Sequence, residues 1–304
     1  MGRNRATTVA GMQHRPLLAL ILAAGLLAGA CSDGSSSSDT AASTAGASTT
    51  EAAPTTAAPT TEAATTEAPT TEAPTTEAPT TEAPLAHIRG TAYTFNTPDP
   101  IAGATITVDE LPGVSATTAA DGSYELELPV GATVTPYIEA ADHFGIHTQT
   151  FTLDDAHDGS ELDGVNFQTP SLAIYEGLKA LVGGFTGRDP FEGGCVIVTT
   201  VGDARMVGMS FDEFIEFHPH GVEGATVAIE PALATPIYFN ADVLPDAAQA
   251  TTSIDGGVLF PNVPPGEYTL SATKEGLQFV TVHATCKDGW VVNANPVWGL
   301  HALP

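Results

Sequence analysis

The chain has 304 residues and carries 36 Asp and Glu against 9 Lys and Arg, a formal charge of −27. A field of that sign repels nucleic-acid phosphates and anionic lipid headgroups, which excludes both as partners of its surface, and it attracts cations and basic partners. The simpler role of such an acidic, Lys-poor surface is solubility.

Residues 14–31 read HRPLLALILAAGLLAGAC. Arg3, Arg5 and Arg15 precede an apolar run from Leu17 to Ala30, which closes on Ala28-Gly29-Ala30 directly before Cys31. A basic segment, an apolar stretch too short to span a bilayer comfortably and a small-residue cleavage point make a secretory signal, expected over residues 1–30. The Cys at the cut resembles the lipobox of bacterial lipoproteins. That resemblance implies cleavage ahead of Cys31, a diacylglycerol on its thiol and a mature chain displayed outside the cytoplasm. Its membrane contact is then the lipid itself, and two acyl chains anchor stably where one is marginal.

Residues 31–84 hold that Cys and a Ser/Thr/Ala/Pro/Glu tract ending in four copies of Thr-Thr-Glu-Ala-Pro, from Thr65 to Pro84. Without aromatic residues or apolar periodicity, no core can offset the entropy of ordering. A disordered, self-repelling stalk is expected, reaching on the order of 150 Å at ~3.1 Å per residue. With Cys31 taken as the anchor, Cys195 and Cys286 remain as a pair in an oxidising compartment, and a disulfide between them is expected.

The rest of the chain repeats itself. Gly103-Ala104-Thr105-Ile106, Thr117-Thr118, Asp121-Gly122-Ser123-Tyr124 and Pro129-Val130-Gly131 recur as Gly224-Ala225-Thr226-Val227, Thr251-Thr252, Asp255-Gly256-Gly257-Val258 and Pro264-Pro265-Gly266, with an insert at about residues 231–250. The β-branched alternation predicts strands. Asp-Gly is a strong hairpin signal and Pro-x-Gly another tight turn. Further strands are expected at Ile88–Tyr93, Thr133–Ala140, Cys195–Val201, Tyr268–Ala272, Phe279–Thr285 and Trp290–Asn295. This pattern resembles the carboxypeptidase regulatory-like domains, a family with a transthyretin-like or prealbumin-like sandwich. The resemblance implies an all-β fold of two antiparallel sandwich domains, at residues 85–170 and 193–304. It also implies accessory, adhesive or structural modules more than catalysts.

Between the copies, residues 171–192 read as a helical connector. Leu172, Tyr175, Leu178, Leu181 and Val182 recur at helical spacing, Ser171 is placed to cap the start, and Gly183-Gly184 to end the helix. Ser210-Phe-Asp-Glu213 has the spacing of a capping box, so a second short helix should begin there and pack Phe211, Phe214 and Ile215 on the sandwich.

No Gly-x-Ser-x-Gly, His-Glu-x-x-His or phosphate loop is present, so the expectation is a non-enzymatic protein without catalytic residues. Its expected role is binding, adhesion or envelope architecture, with a cell-wall, carbohydrate or protein ligand. Two metal alternatives can be named. His143 and His147, together with Tyr124 and Tyr137, resemble the iron ligands of the intradiol ring-cleaving dioxygenases, and His218-Pro-His220 brings two more imidazoles together. Asp154, Asp155, Asp158, Glu161 and Asp163 surround a Gly turn with oxygen donors suited to Ca²⁺. A carbohydrate-binding module is a third alternative; its aromatic platform would need Trp290 and Trp298.

Overall fold

The computed structural model describes residues 84–154, 161–233, 235–294 and 297–304. The signal segment, Cys31 and the stalk lie outside the described residues. The first repeat supplies β1 (Leu85–Thr94), β2 (Thr105–Val108), β3 (Ser115–Thr117), β4 (Ser123–Pro129), β5 (Thr133–Val134), β6 (Pro136–Glu139), β7 (Ile146–His147), β8 (Phe151–Thr152), β9 (Glu161–Leu162) and β10 (Phe167–Thr169). Then come α1 (Leu172–Thr186), β11 (Cys195–Thr200), a 3-10 turn at Ala204–Met206 and α2 (Phe211–Glu216). The second repeat continues with β12 (Thr226–Glu230), β13 (Ile237–Phe239), β14 (Pro245–Asp246), β15 (Gly257–Val263), β16 (Gly266–Thr273), β17 (Val282–Cys286) and β18 (Val291–Ala294).

Strand after strand alternates. Tyr124, Leu126 and Leu128 of β4 point inward while Ser123, Glu125 and Glu127 face solvent, as a sheet with one wet face requires. In the first repeat, β10-β1-β4, with β9 also on β1, covers β7-β6-β2-β3. Ile88, Ile106, Leu126, Leu128, Ile138 and Phe167 fill the space between. In the second repeat, β14-β13-β15-β11-β18 covers β12-β16-β17 around Ile197, Phe260, Leu270 and Val292. Each such fully buried side chain contributes roughly 1.5–3 kcal/mol. The fold is therefore a β-sandwich, mainly antiparallel, with β1–β9, β1–β10, β11–β18 and β7–β18 running parallel.

The sequence repeat is a structural repeat down to single hydrogen bonds. The Thr118 hydroxyl accepts from Ala104 N (2.9 Å) and donates to Ile101 O (2.6 Å); Thr252 accepts from Ala225 N (2.8 Å) and donates to Val222 O (2.6 Å). Ala92 N donates to Gly122 O and Val201 N to Gly256 O, both at 2.9 Å. First strands match in their partners too, since β1 lies between β4 and β10 and β11 between β15 and β18.

The two repeats share one sheet. β7 pairs with β18 at His147 and Val292, which makes a continuous nine-stranded sheet. Thr150 N donates to His283 O (2.8 Å), Lys287 Nζ meets Asp109 (3.1 Å) and Trp298 Nε1 donates to Asp163 O (2.7 Å) across the same boundary. Cys195, on β11, and Cys286, at the end of β17, form a disulfide with a Cα–Cα distance of 5.8 Å, clipping the two layers of the second repeat together.

Three local readings change. The Asp-Gly turns are not hairpins: Asp121-Gly122 carries the chain from one layer to the other, since β3 pairs with β2 whereas β4 pairs with β1, and the strands flanking Asp255-Gly256, β14 and β15, both pair with β13 instead of with each other. Gly122 has φ 78°, and a Cβ there would lie 2.4 Å from Ala92 O, so the corner tolerates no side chain. The expected strand Thr133–Ala140 breaks into β5 and β6, because Thr135 N donates to the Glu110 carboxylate (3.0 Å) and Pro136 has no N–H for a ladder. Helix α1 runs through Gly183-Gly184 to Thr186 and stops at Gly187, whose left-handed backbone (φ 72°) lets its N–H reach Gly183 O at 2.8 Å. Its start is as read, with Ser171 Oγ accepting from Ile174 N, and α2 carries the full Ser210–Glu213 capping box.

Candidate functional site

Each candidate donor has its own surroundings. His143 donates from Nδ1 to Ala141 O (2.8 Å), which leaves Nε2 to accept from Thr94 Oγ1 (3.1 Å). His147 is buried between Tyr137 and Trp290, with ring centroids 4.3 and 3.4 Å away. Tyr124 is spent elsewhere, its hydroxyl donating to Val165 O at 2.6 Å in the core. His218 and His220 are neighbours, with ring centroids 4.5 Å apart. Nε2 of His220 donates to Phe214 O (3.0 Å), and its ring stacks on Phe214.

Of the acidic group, Glu161 and Asp163 reach Arg89, at 2.5 and 3.5 Å, and Glu125 meets the same guanidinium at 2.7 Å. Arg89 holds the Glu125 carboxyl below its ordinary range. Asp154 ends the described stretch ahead of them, and Asp155 and Asp158 lie outside the described residues. Among the described residues, no three His, Cys, Asp or Glu side chains gather as a metal-binding set. Trp290 and Trp298 are both half-buried, one against His147 and the other bonded to Asp163 O.

The feature that does converge is a groove under α1. Along β11, Cys195, Ile197 and Thr199 point into the sandwich, so the period-two pleat sends Val196, Val198 and Thr200 to the opposite face. Leu259 of β15 and Val291 and Asn293 of β18 join them, and Tyr175, Leu178 and Val182 of α1 roof the space. The far wall is Phe239, Val243 and Pro245, contributed by the insert of the second repeat. The groove has a cavity volume of about 140 Å³ and shares lining residues with a neighbouring recess of about 500 Å³. Tyr93, Gln168, Phe214, His220 and Asp255 line both spaces and form the polar junction between them.

Two titratable groups of that junction are shifted by burial. Burial raises the Asp255 carboxyl above its ordinary value, against the opposing pull of the Gly257 N–H that it accepts at 3.0 Å. Burial lowers the His220 imidazole, so it is neutral at pH 7. At the α1 side, Lys179 Nζ is bridged to Asp189 at 3.0 Å and lies over the Phe191 ring. Sequence reading flagged His220 as a metal ligand and Asp255 only as a turn residue. The insert at 231–250 supplies the far wall of the groove, and the sequence reading took it only as an interruption of the repeat.

Fold and groove together define a β-sandwich protein with a lined recess beside a surface helix. No family model and no curated protein matches the chain. Among solved structures it is similar to the Bacillus anthracis TIE protein, at 13% identity and a TM-score of 0.24, over 69% of this chain and 33% of that one. This chain thus spans about a third of the length of that protein. It is also similar to the shaft pilin spaA from Lactobacillus rhamnosus GG (12% identity, TM-score 0.22, 69% of this chain and 96% of that chain). A third similar structure is the minor pilin GBS52 of Streptococcus agalactiae (11% identity, TM-score 0.23, 71% and 97%).

Proposed function

We propose that this chain is a non-enzymatic lipoprotein, anchored through Cys31 and displayed outside the cytoplasm on its stalk, that holds a ligand in the groove under α1. The signal architecture and the Thr-Thr-Glu-Ala-Pro spacer support display. The repeated sandwich, read as carboxypeptidase regulatory-like modules, supports an accessory or adhesive role. The groove carries the binding role: an apolar, partly roofed concavity with a few converging polar groups is the usual form of a ligand site.

The test uses N-phenyl-1-naphthylamine, a neutral probe that brightens in apolar surroundings, titrated into the purified whole chain. A saturable one-site rise is expected, and Val198→Trp, which fills the groove from β11, should abolish it. A rise that never saturates, or one unchanged in the variant, rejects the groove as a binding seat. For the anchor, Cys31→Ser should move the chain from the membrane fraction to the soluble one; equal partition of both forms rejects lipidation.

A further inference from the structure

We infer that the ligand of this groove carries a protonated amine, held by Asp255, on an apolar body laid between α1 and β11. This rests on the reading of the groove as the binding seat and adds the chemical class of its occupant.

The argument starts from Asp255. Its side chain lines both the groove and the adjoining recess, among Tyr93, Phe214, Val243 and the wall around them. One hydrogen bond, from Gly257 N, satisfies one carboxylate oxygen, and among the described residues no Lys, Arg or His forms an ion pair with it. A half-buried carboxylate in apolar surroundings stays charged at a cost unless a donor or cation meets it. His220, the neighbouring titratable group, is neutral at pH 7 and adds no positive charge there.

Geometry places an aromatic face beside the carboxylate. A Cβ on Gly257 would lie 2.5 Å from Asp255 Oδ2 and 2.9 Å from the Phe239 ring, so acid and ring approach the same backbone atom. An ammonium seated there gains an ion pair and a cation–π contact together. An anionic head finds no equivalent, because Lys179, the groove's own cation, is already bridged to Asp189. The chain's formal charge of −27 favours the approach of the same class of ligand.

The experiment is calorimetric titration of the whole chain with octylamine, octanol and octanoate, which share one tail and differ only in the head. Octylamine should bind roughly tenfold or more tighter than octanol, and octanoate weakest. Asp255→Asn should bring octylamine down to the affinity of octanol and leave octanol unchanged. The substitution removes one of 36 acidic groups, so a general field effect would leave the preference nearly intact. Should the variant fail to fold, the wild type supplies a second readout. Octylamine affinity should fall as the pH is lowered and the carboxylate takes up its proton, while octanol affinity holds. Equal binding of amine and alcohol, or a preference that survives in the variant, overturns the inference and spares the groove. Binding of none of the three overturns both.

Discussion

Acid should loosen the boundary between the repeats, and His147 should be the reason. Its ring is 5% exposed and lies in a stack running from Tyr137 (4.3 Å) through His147 to Trp290 (3.4 Å), with Lys287 over the Trp290 ring at 4.4 Å. Burial pushes the imidazole from 6.5 down to about 4; Asp109 opposes this shift and Lys287 adds to it. In the unfolded chain the same group protonates near its ordinary value. As pH falls below about 6.5, the unfolded state therefore takes up a proton that the folded state refuses. The contribution is fully present above that pH and is lost on the way down to about 4. At 1.36 kcal/mol per pH unit, the loss is about 3 kcal/mol.

The assay compares unfolding of the wild type and His147→Phe between about pH 7.5 and about pH 4.5. Phe keeps a ring in the stack, cannot be charged and gives up no hydrogen bond at the buried Nδ1, which has no partner. The other carboxylates and imidazoles titrate alike in both proteins, so the difference isolates this one group. The wild type should lose about 2.5 kcal/mol relative to the variant across the window, or roughly 5–10 °C in Tm for a unit of this size. Parallel curves would refute the reasoning.

Reducing the Cys195–Cys286 disulfide, or replacing both cysteines by Ala, releases a loop of 91 residues. The denaturant midpoint should fall by the equivalent of about 4–5 kcal/mol in the loop-entropy model, and an unchanged midpoint in reductant rejects it. Gly122→Ala should cost about 2–3 kcal/mol, since it combines a left-handed backbone with a clash against Ala92 O. Gly131→Ala shares the left-handed backbone but meets nothing within 4 Å, so a cost of about 1 kcal/mol is expected. Equal losses in thermal melts of the two variants would remove the steric part of that account.

The repeat was legible because its defining residues act locally. A Thr that ties its own strand entry, and a Gly that must turn a corner, need the same chemistry each time they occur. Helix starts were legible for the same reason, since Ser171 and Ser210 bond within their own first turns. The end of α1 was not, because Gly183-Gly184 and Gly187 all permit a stop, and the chain's return past Arg188 and Pro190 decides among them. The shared sheet left no trace in the sequence: one residue pair joins strands 145 positions apart, and neither strand needs a special residue to do so. The groove was hidden likewise. Its floor comes from alternate positions of β11, β15 and β18, where an outward Val reads like any other strand residue.

The disulfide also has a mechanical side. Under the proposed anchoring, a pull on the chain would be carried by its folded part. Pulled between Pro84 and the C-terminus, the span from Cys195 to Cys286 cannot lengthen, because the covalent link carries the load directly from one strand to another. At ~3.3–3.6 Å per residue, roughly 300 Å of contour is withheld from extension. The first repeat can still unravel under force, whereas most of the second, with β13 and β15 of the groove wall and floor, is bypassed and keeps its shape.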